Sequence, residues 1–446
     1  MEAREKLGLG TKVGYGIGDF GTNLVFNTTT IYLLYYYTDV FGISATFEGT
    51  VFLVAKLWNA IIDPVIGHLA DHTNSPWGRK RPWILFGALP FGIAFFLAFS
   101  SPGFVVGWKE AWAMGTYILF CTTLGIVNIP YSSLTATMTR DLDERSTLSG
   151  FRMTFALVGT MLASVLVKPV ARLFPGETAG FRGVGFVFGV LVVVAMLVTF
   201  FTSFEKPAEK GENRVSFHDN FRAMARNRPF ILLAVAFVMC TVSNYLVATT
   251  VNYYFKYVLL KESLIQYGFL ALFLSAIASV PLWLAVARRW SKRAAFVAGS
   301  LVLLAALIFL WFASAPGTAE IIVVLMIAGV GICTFYLFPW AMVPDTVEFS
   351  EWKSGVTQEG YLYGFFIFGI KLAQAFAGFV VGFALDAFGY VANVAQPPHT
   401  MRGITFLMTL LPAIFLLVGL ACLAFYPINP AFFRKMTSEI AARKVV

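Results

Sequence analysis

Charge is the scarcest property of this chain. Asp, Glu, Lys and Arg make up 13% of its 446 residues, whereas a water-soluble domain carries about 25%. With 58% hydrophobic residues, that shortage excludes an ordinary soluble globule, because the apolar excess needs lipid to face. Short segments of alternating polarity are also missing, which excludes a transmembrane barrel. Cysteine is rare: Cys121, Cys240, Cys333 and Cys422 each sit inside an apolar run, with no CxxC spacing. Neither a disulfide framework nor a zinc site is expected. Histidine is as rare, and His68, His72, His218 and His399 scatter towards loops. The His68/His72 pair, one helical turn apart, reads as surface rather than metal site. No nucleophile lies beside a base, so no enzyme, catalytic residue, metal or cofactor is expected. Residues 1–10 are charged and precede no small-residue cleavage site, so no removable signal peptide is expected.

What is present is a series of apolar runs, each long enough to cross a bilayer as a helix. Spans are expected at 13–37, 47–70, 82–101, 111–137, 149–172, 183–203, 229–257, 266–287, 294–314, 319–342, 361–387 and 404–426. The net charge of +9 falls between these spans, so it reports topology and not nucleic-acid binding. The basic connections are Arg79-Lys80-Arg81, Arg140 with Arg145, the 204–228 linker, Arg288-Arg289 with Lys292-Arg293, and Lys353. Arg4, Lys6 and Lys12 at one terminus, and Arg434, Lys435, Arg443 and Lys444 at the other, belong to the same set. The positive-inside rule puts both termini in the cytoplasm, which requires an even number of spans.

The linker, with Lys206, Lys210, Arg214 and Arg222, divides the spans six and six. The halves echo each other. Trp77-Gly-Arg-Lys-Arg after span two recurs as Trp290-Ser-Lys-Arg after span eight. Asn23, Thr29-Thr30 and Tyr35-Tyr36 recur as Asn244, Thr249-Thr250 and Tyr253-Tyr254, and Pro130-Tyr131 as Pro339-Trp340. A common offset of about 210–220 residues indicates a parallel repeat. The expected fold is an all-α membrane protein of about twelve helices in two pseudo-symmetric six-helix bundles. Its segments are bundle 1–203, linker 204–228, bundle 229–427 and cytoplasmic tail 428–446.

Five charges lie inside spans: Asp19, Lys56, Asp63, Arg152 and Lys371. Ionised groups at mid-membrane cost a few kcal/mol even on lenient scales, so they should face one another or a wet cavity. Span one places Tyr15, Asp19, Asn23 and Asn27 on one face, and span two does so with Lys56, Asn59 and Asp63. Span four adds Asn128 and Ser132, span seven Asn244 and Asn252, and span eleven Gln374 beside Lys371. Carboxylates and guanidinium are suited to hydroxyl-rich solutes, and Trp58, Tyr336 and Trp340 could stack on a sugar ring.

These residues resemble the glycoside–pentoside–hexuronide:cation symporter family of the major facilitator superfamily, typified by the melibiose carrier. The marks are Tyr15-Gly-Ile-Gly-Asp19, Tyr35-Tyr-Tyr-Thr-Asp39-Val-Phe-Gly, Trp58-Asn-Ala-Ile-Ile-Asp63-Pro-Val-Ile-Gly67, Gly78-Arg-Lys-Arg-Pro-Trp83, and Asp345-Thr-Val-Glu348 with Glu351-Trp352-Lys353. The resemblance runs nearly end to end. It implies that Asp19 and Arg152 hold sugar hydroxyls, with Asn23, Asn128, Ser132 and Trp340 completing a substrate site. It implies a cation site at Asp63 with Asn59 and Lys371, and a gating loop of Gly67, Asp71, Arg79, Lys80 and Arg81. It further implies a monomer in a bacterial cytoplasmic (inner) membrane, with a sugar and a coupling cation as its partners.

Three departures matter. Asn59 stands where the melibiose carrier has its first cation-site aspartate, which leaves one fewer hard oxygen for sodium and favours H+ over Na+. Asn128 replaces a sugar-binding aspartate and Ser132 a tryptophan, so the galactoside pocket is not reproduced. Asp63 is then the expected proton carrier, since burial favours a neutral carboxyl and a nearby lysine the charged one. Alternating access would move it between those states while the sugar sits between the halves. The competing readings are a carrier of a non-sugar amphipathic solute such as a lysolipid, and a sensor that binds without transporting.

Overall fold

A backbone in hydrocarbon has no water to pair with, so apolar segments close their hydrogen bonds within themselves. The computed structural model describes residues 7–103, 107–139, 142–205, 224–313, 316–354 and 359–444, and among these there is no β-strand. The linker cations Lys206, Lys210, Arg214 and Arg222, together with Arg4, Lys6, Arg140 and His218, lie outside the described residues, as do the side chains of Asp71, Arg145, Arg443 and Lys444.

The first six long helices are α1 (Leu9–Tyr35), α2 (Ala45–His72), α3 (Arg81–Ala98), α4 (Lys109–Met138), α5 (Leu142–Ala171) and α6 (Glu177–Thr202). Then come α7 (Arg228–Tyr253), α8 (Ile265–Arg289), α9 (Lys292–Phe312), α10 (Thr318–Ser354) and α11 (Glu359–Ala387). The twelfth span has two pieces, α12 (Pro398–Met408) and α13 (Leu410–Ala424), interrupted at Thr409 because Pro412 has no N–H for the Met408 carbonyl. A last helix, α14 (Pro430–Lys444), follows.

Eleven spans are long and apolar enough to cross a bilayer by composition, and α1 is not among them. Its glycines, threonines and asparagines lower its hydropathy, and most of the helix is buried against protein instead of lipid. The hydropathy reading also stops α10 twelve residues early. The helix continues through Asp345, Glu348 and Glu351 to Ser354, since polarity ends a lipid-facing segment without ending a helix.

Cα packing separates two units, residues 1–210 with 379–396, and residues 211–378 with 397–446. Most of their internal neighbours correspond. In the first, α3 packs on α4 and α6, α2 on α4, and α1 on α5 and α6. In the second, α9 packs on α10 and α13, α8 on α10, and α7 on α13. The repeat extends to local irregularities. α1 and α7 both run into a π-helical segment, Tyr36–Phe41 and Tyr254–Val258, at the paired tyrosines. Prolines interrupt α2 and α8 at Pro64 and Pro281, and α4 and α10 at Pro130 and Pro339.

The Lys-Arg turns also repeat, and they do the same mechanical task. Lys80 donates its ammonium to Ser133 O (3.2 Å) on α4, and the Arg81 guanidinium caps Phe200 O (2.9 Å) on α6. Lys292 reaches Ala341 O (2.9 Å) on α10, and Arg293 caps Tyr426 O (3.0 Å) and Ala424 O (2.6 Å) beyond α13. In both units the arginine closes carbonyls at or just beyond a helix end, which helix geometry leaves unpaired, while the lysine adds a bond to a carbonyl inside the neighbouring helix.

Residues 379–396, inside the second bundle by sequence, pack in the first unit. Asp39 explains their attachment. Its carboxylate accepts from the Tyr390 hydroxyl (2.5 Å), its backbone oxygen accepts from the Asn393 amide (2.6 Å), and Asp386 accepts from Thr46 N (2.7 Å).

Candidate substrate and coupling sites

In the first unit, α1 and α4 meet where Gly18 lies under the Tyr131 ring, and a Cβ there would come within 2.7 Å of it. That approach builds a reciprocal lock. Tyr15 donates to Tyr131 O (2.6 Å), and Tyr131 donates to Tyr15 O (2.7 Å) and to Asp19 Oδ2 (2.8 Å). Both rings are fully buried. They present Asp19, one turn further along α1, to Arg152 on α5.

Arg152 answers with every donor group. Nε donates to Asp19 Oδ2 (2.5 Å), Nη2 to Asp19 Oδ1 (3.3 Å) and to Ser132 Oγ (3.3 Å), and Nη1 to Thr135 Oγ1 (3.0 Å). The guanidinium lies over the Tyr131 ring at 4.8 Å and near Tyr15 at 5.6 Å. A charge in a low-dielectric interior needs such full partnership. Asp19, Ser132 and Arg152, separate in sequence, are thus one cluster. Tyr131 and Thr135 were not singled out as site residues from the sequence. Their signal was the four-residue spacing of Tyr131 and Thr135 on the same helix as Ser132.

Asn23 sits one turn above and gives its amide to Asp19 O (2.9 Å), while Asn27 bonds Asn23 O (2.9 Å) and Thr160 Oγ1 (3.0 Å). Half-buried Asn128 on α4 has no recorded hydrogen bond among the described residues. Ser132 is exposed, and among the described residues Oδ1 of Asp19 receives only the long bond from Arg152. Those are the openings this cluster offers to a hydroxyl.

The second polar face of the unit runs along α2. Asn59 is buried beside the Cys121 thiol on α4. Asp63 follows one turn later, and its Oδ1 packs on Gly125 of α4, where a Cβ would stand 2.8 Å away. Gly125 is therefore part of the Asp63 site, although a glycine within an apolar span carried no chemical signal in the sequence. Lys56 is 7% exposed, with its ammonium 5.1 Å from the Phe26 ring centroid. Among the described residues it has no recorded ion pair, so the expected mutual neutralisation of intramembrane charges holds for Asp19 with Arg152 and not for Lys56. Trp58 is exposed and donates to Thr122 Oγ1 (2.9 Å).

In the loop after α2, Arg79 and Lys80 point their backbone N–H groups at Glu205 Oε2 (2.8 and 3.0 Å). Glu205 thus caps the N-terminus of α3, the place a helix favours a negative charge. Gly67 is half-buried late in α2.

The second unit has a different polar content. Trp340 is 37% exposed, and it packs edge-on against Phe366 (5.4 Å) and Phe237 (6.2 Å). Tyr336, one turn earlier, lies beside the Asn244 side chain on α7. Gln374 donates to the Tyr245 hydroxyl (2.7 Å), and Lys371 is half-buried one turn before it.

Comparison with known proteins agrees with this architecture. Residues 14–430 match the family described as MFS/sugar transport protein. The chain is 34% identical over 448 residues to the symporter YnaJ of Bacillus subtilis (strain 168), covering 99% of this chain and 96% of that protein. It is 31% identical over 448 residues to the glucuronide carrier protein homolog of Escherichia coli (strain K12), covering 99% and 97%. Among solved structures it resembles a bacterial homolog of the human lysosomal transporter Spinster, inward-facing and unoccupied, with a TM-score of 0.67 at 12% identity and 97% of each chain covered. That last likeness concerns the fold alone. Matched from its first span to its last and bearing the sequence motifs along the way, this multi-pass membrane chain belongs to the MFS/sugar transport protein family, the glycoside–pentoside–hexuronide type of sugar symporter.

Proposed function

We propose that the protein is a secondary active symporter that moves a sugar together with H+ by alternating access. The observation that carries this reading is the cluster of Asp19, Arg152 and Ser132. It keeps a full charge pair inside the membrane-spanning part of a unit while leaving a serine hydroxyl and a carboxylate lone pair open. A structural ion pair needs no such opening, whereas a solute with vicinal hydroxyls can accept from the guanidinium and donate to the carboxylate. Asp19 and Arg152 therefore hold the sugar, with Asn23, Asn128 and Ser132 supplying neutral partners. Trp340 of the second unit, itself exposed, is a separate candidate for stacking on the apolar face of a pyranose.

H+ is favoured over Na+ because Asn59 takes the place of a carboxylate one turn before Asp63. A proton needs one carboxylate, whereas sodium is better held by several hard oxygens. The substrate class spans glycosides, pentosides and hexuronides. The relative described as a glucuronide carrier homolog supports the last, for which Arg152 would meet the sugar carboxylate.

The test uses deenergised cells given single sugars while external pH is recorded, with labelled uptake measured in parallel with and without sodium. Sugar-evoked alkalinisation that disappears in Asp63→Asn supports the proposal. Alkalinisation that survives in Asp63→Asn removes Asp63 from the coupling role. Uptake that requires sodium without a pH change overturns the choice of cation.

A further inference from the structure

At the Lys-Arg turn of the second unit lies a cavity of about 410 Å³. It opens where α8 ends and α9 begins, against the first turn of α14. Its lining includes Arg288, Arg289, Lys292, Arg293 and Arg434, against the single carboxylate of Asp345. Two of these cations are already engaged. Lys292 binds both Asp345 oxygens (2.8 and 3.0 Å), and Arg293 caps the carbonyls beyond α13. Arg288 and Arg289 are exposed and have no recorded acidic partner among the described residues. Arg434 donates Nε to Pro430 O (3.2 Å), which leaves its terminal amines.

Two further features point to an anion. Tyr426, which lines the cavity, is 2% exposed, and its hydroxyl has no hydrogen-bond partner among the described residues. Burial, reinforced by Asp345, raises its pKa above the ordinary phenol value, so it remains a proton donor. A buried donor without an acceptor is costly. The second feature is the repeat itself. At the corresponding turn of the first unit, Glu205 supplies a carboxylate to the N-terminus of α3. The N-terminus of α9 borders the cavity instead, with Ser291, Lys292 and Arg293 in its wall.

The depth of the cavity selects the source of the anion. Arg289 is the last residue of an apolar span and Lys292 the first of the next. Trp290 and Phe425 beside it are 63% and 68% exposed, and Leu282 and Leu284 on α8 are exposed below it. A belt of exposed aromatics above exposed aliphatics marks headgroup level, and basic pockets between spans at that level bind acidic headgroups.

We propose that this cavity binds the phosphodiester of an anionic phospholipid, with Arg289, Arg434 and Tyr426 as its donors and the acyl chains lying along the exposed face of α8. The lipid phosphate occupies in the second unit the place that the Glu205 carboxylate holds in the first.

The full chain, purified in detergent, is titrated with phosphatidylglycerol, with phosphatidylcholine and with inorganic phosphate. Bound lipid is counted by native mass spectrometry, and the melting temperature is followed by intrinsic fluorescence. One tightly held phosphatidylglycerol per chain is expected, with affinity reduced about tenfold or more in the double variant Arg289→Gln/Arg434→Gln. The nearly isosteric Tyr426→Phe, which leaves the packing intact, should lose about fivefold. Equal retention of phosphatidylglycerol by wild type and both variants overturns the site. Equal binding of phosphatidylcholine overturns the requirement for an acidic lipid. If inorganic phosphate alone gives the full melting shift and displaces the lipid, the occupant is free phosphate and the lipid assignment fails.

Discussion

The two units share a scaffold and differ in where they keep charge. The first holds Asp19 and Arg152 in mutual contact inside its helices, and it closes its basic turn with its own Glu205. The second has neutral polar pairs, Asn244 with Tyr336 and Gln374 with Tyr245, and its basic turn surrounds a cavity. Duplicated helix packing therefore does not duplicate chemistry. The contacts made by Lys80 with Arg81 and by Lys292 with Arg293 are nearly interchangeable because all of them go to backbone carbonyls, which every helix presents. The intramembrane charges are not interchangeable, since each needs a specific counter-group, and the buried Asp19–Arg152 pair belongs to the first unit.

The comparison can be broken most severely at Asp63. Asp63→Asn should abolish sugar-evoked alkalinisation while facilitated exchange of labelled sugar persists, because a side chain that cannot ionise carries no proton. Next in size is the Asp19–Arg152 pair. Asp19→Asn or Arg152→Gln alone leaves a buried charge unpaired, a loss of about 3–5 kcal/mol in buried pairs elsewhere. Detergent melting should show both singles less stable than the double variant, with sugar uptake reduced at least about tenfold in all three. No such coupling is expected for Asn244→Ala with Tyr336→Phe in the second unit, where no full charge is exposed by either change.

Gly125→Ala sharpens the same contrast more gently. The added methyl crowds Asp63 Oδ1, so uptake should fall about fivefold with a shifted pH profile and little change in melting. The smallest effect tests the basic turns. Glu205→Gln removes the charge at the N-terminus of α3 and should cost about 0.3–1 kcal/mol, read from melting curves. It should also make the first unit responsive to phosphatidylglycerol, as the second is proposed to be.

Much of this was legible without coordinates. Twelve segments read as apolar runs in the sequence; among the described residues eleven are long and apolar enough to cross a bilayer, and α1, with its stripe of Tyr15, Asp19, Asn23 and Asn27, is not. The Asp19–Arg152 pairing was legible only as a constraint, that intramembrane charges must find one another. Lys56 shows why the constraint names no partner: it sits on the same helix face as Asp63, yet it lies over Phe26. Gly18 and Gly125 were invisible as site residues because their contribution is a close approach, which depends on which helices touch.

Sequence by itself determined the helices, the echo between their two halves and the family, since hydrocarbon admits only segments that satisfy their own backbone, and short motifs survive duplication. The tertiary structure alone decided which charges meet, that Glu205 fills one basic turn while the other stays open, and that residues 379–396 join the first unit through Asp39. Those outcomes depend on distances of a few ångströms between helices far apart in the chain, and no one-dimensional pattern encodes them.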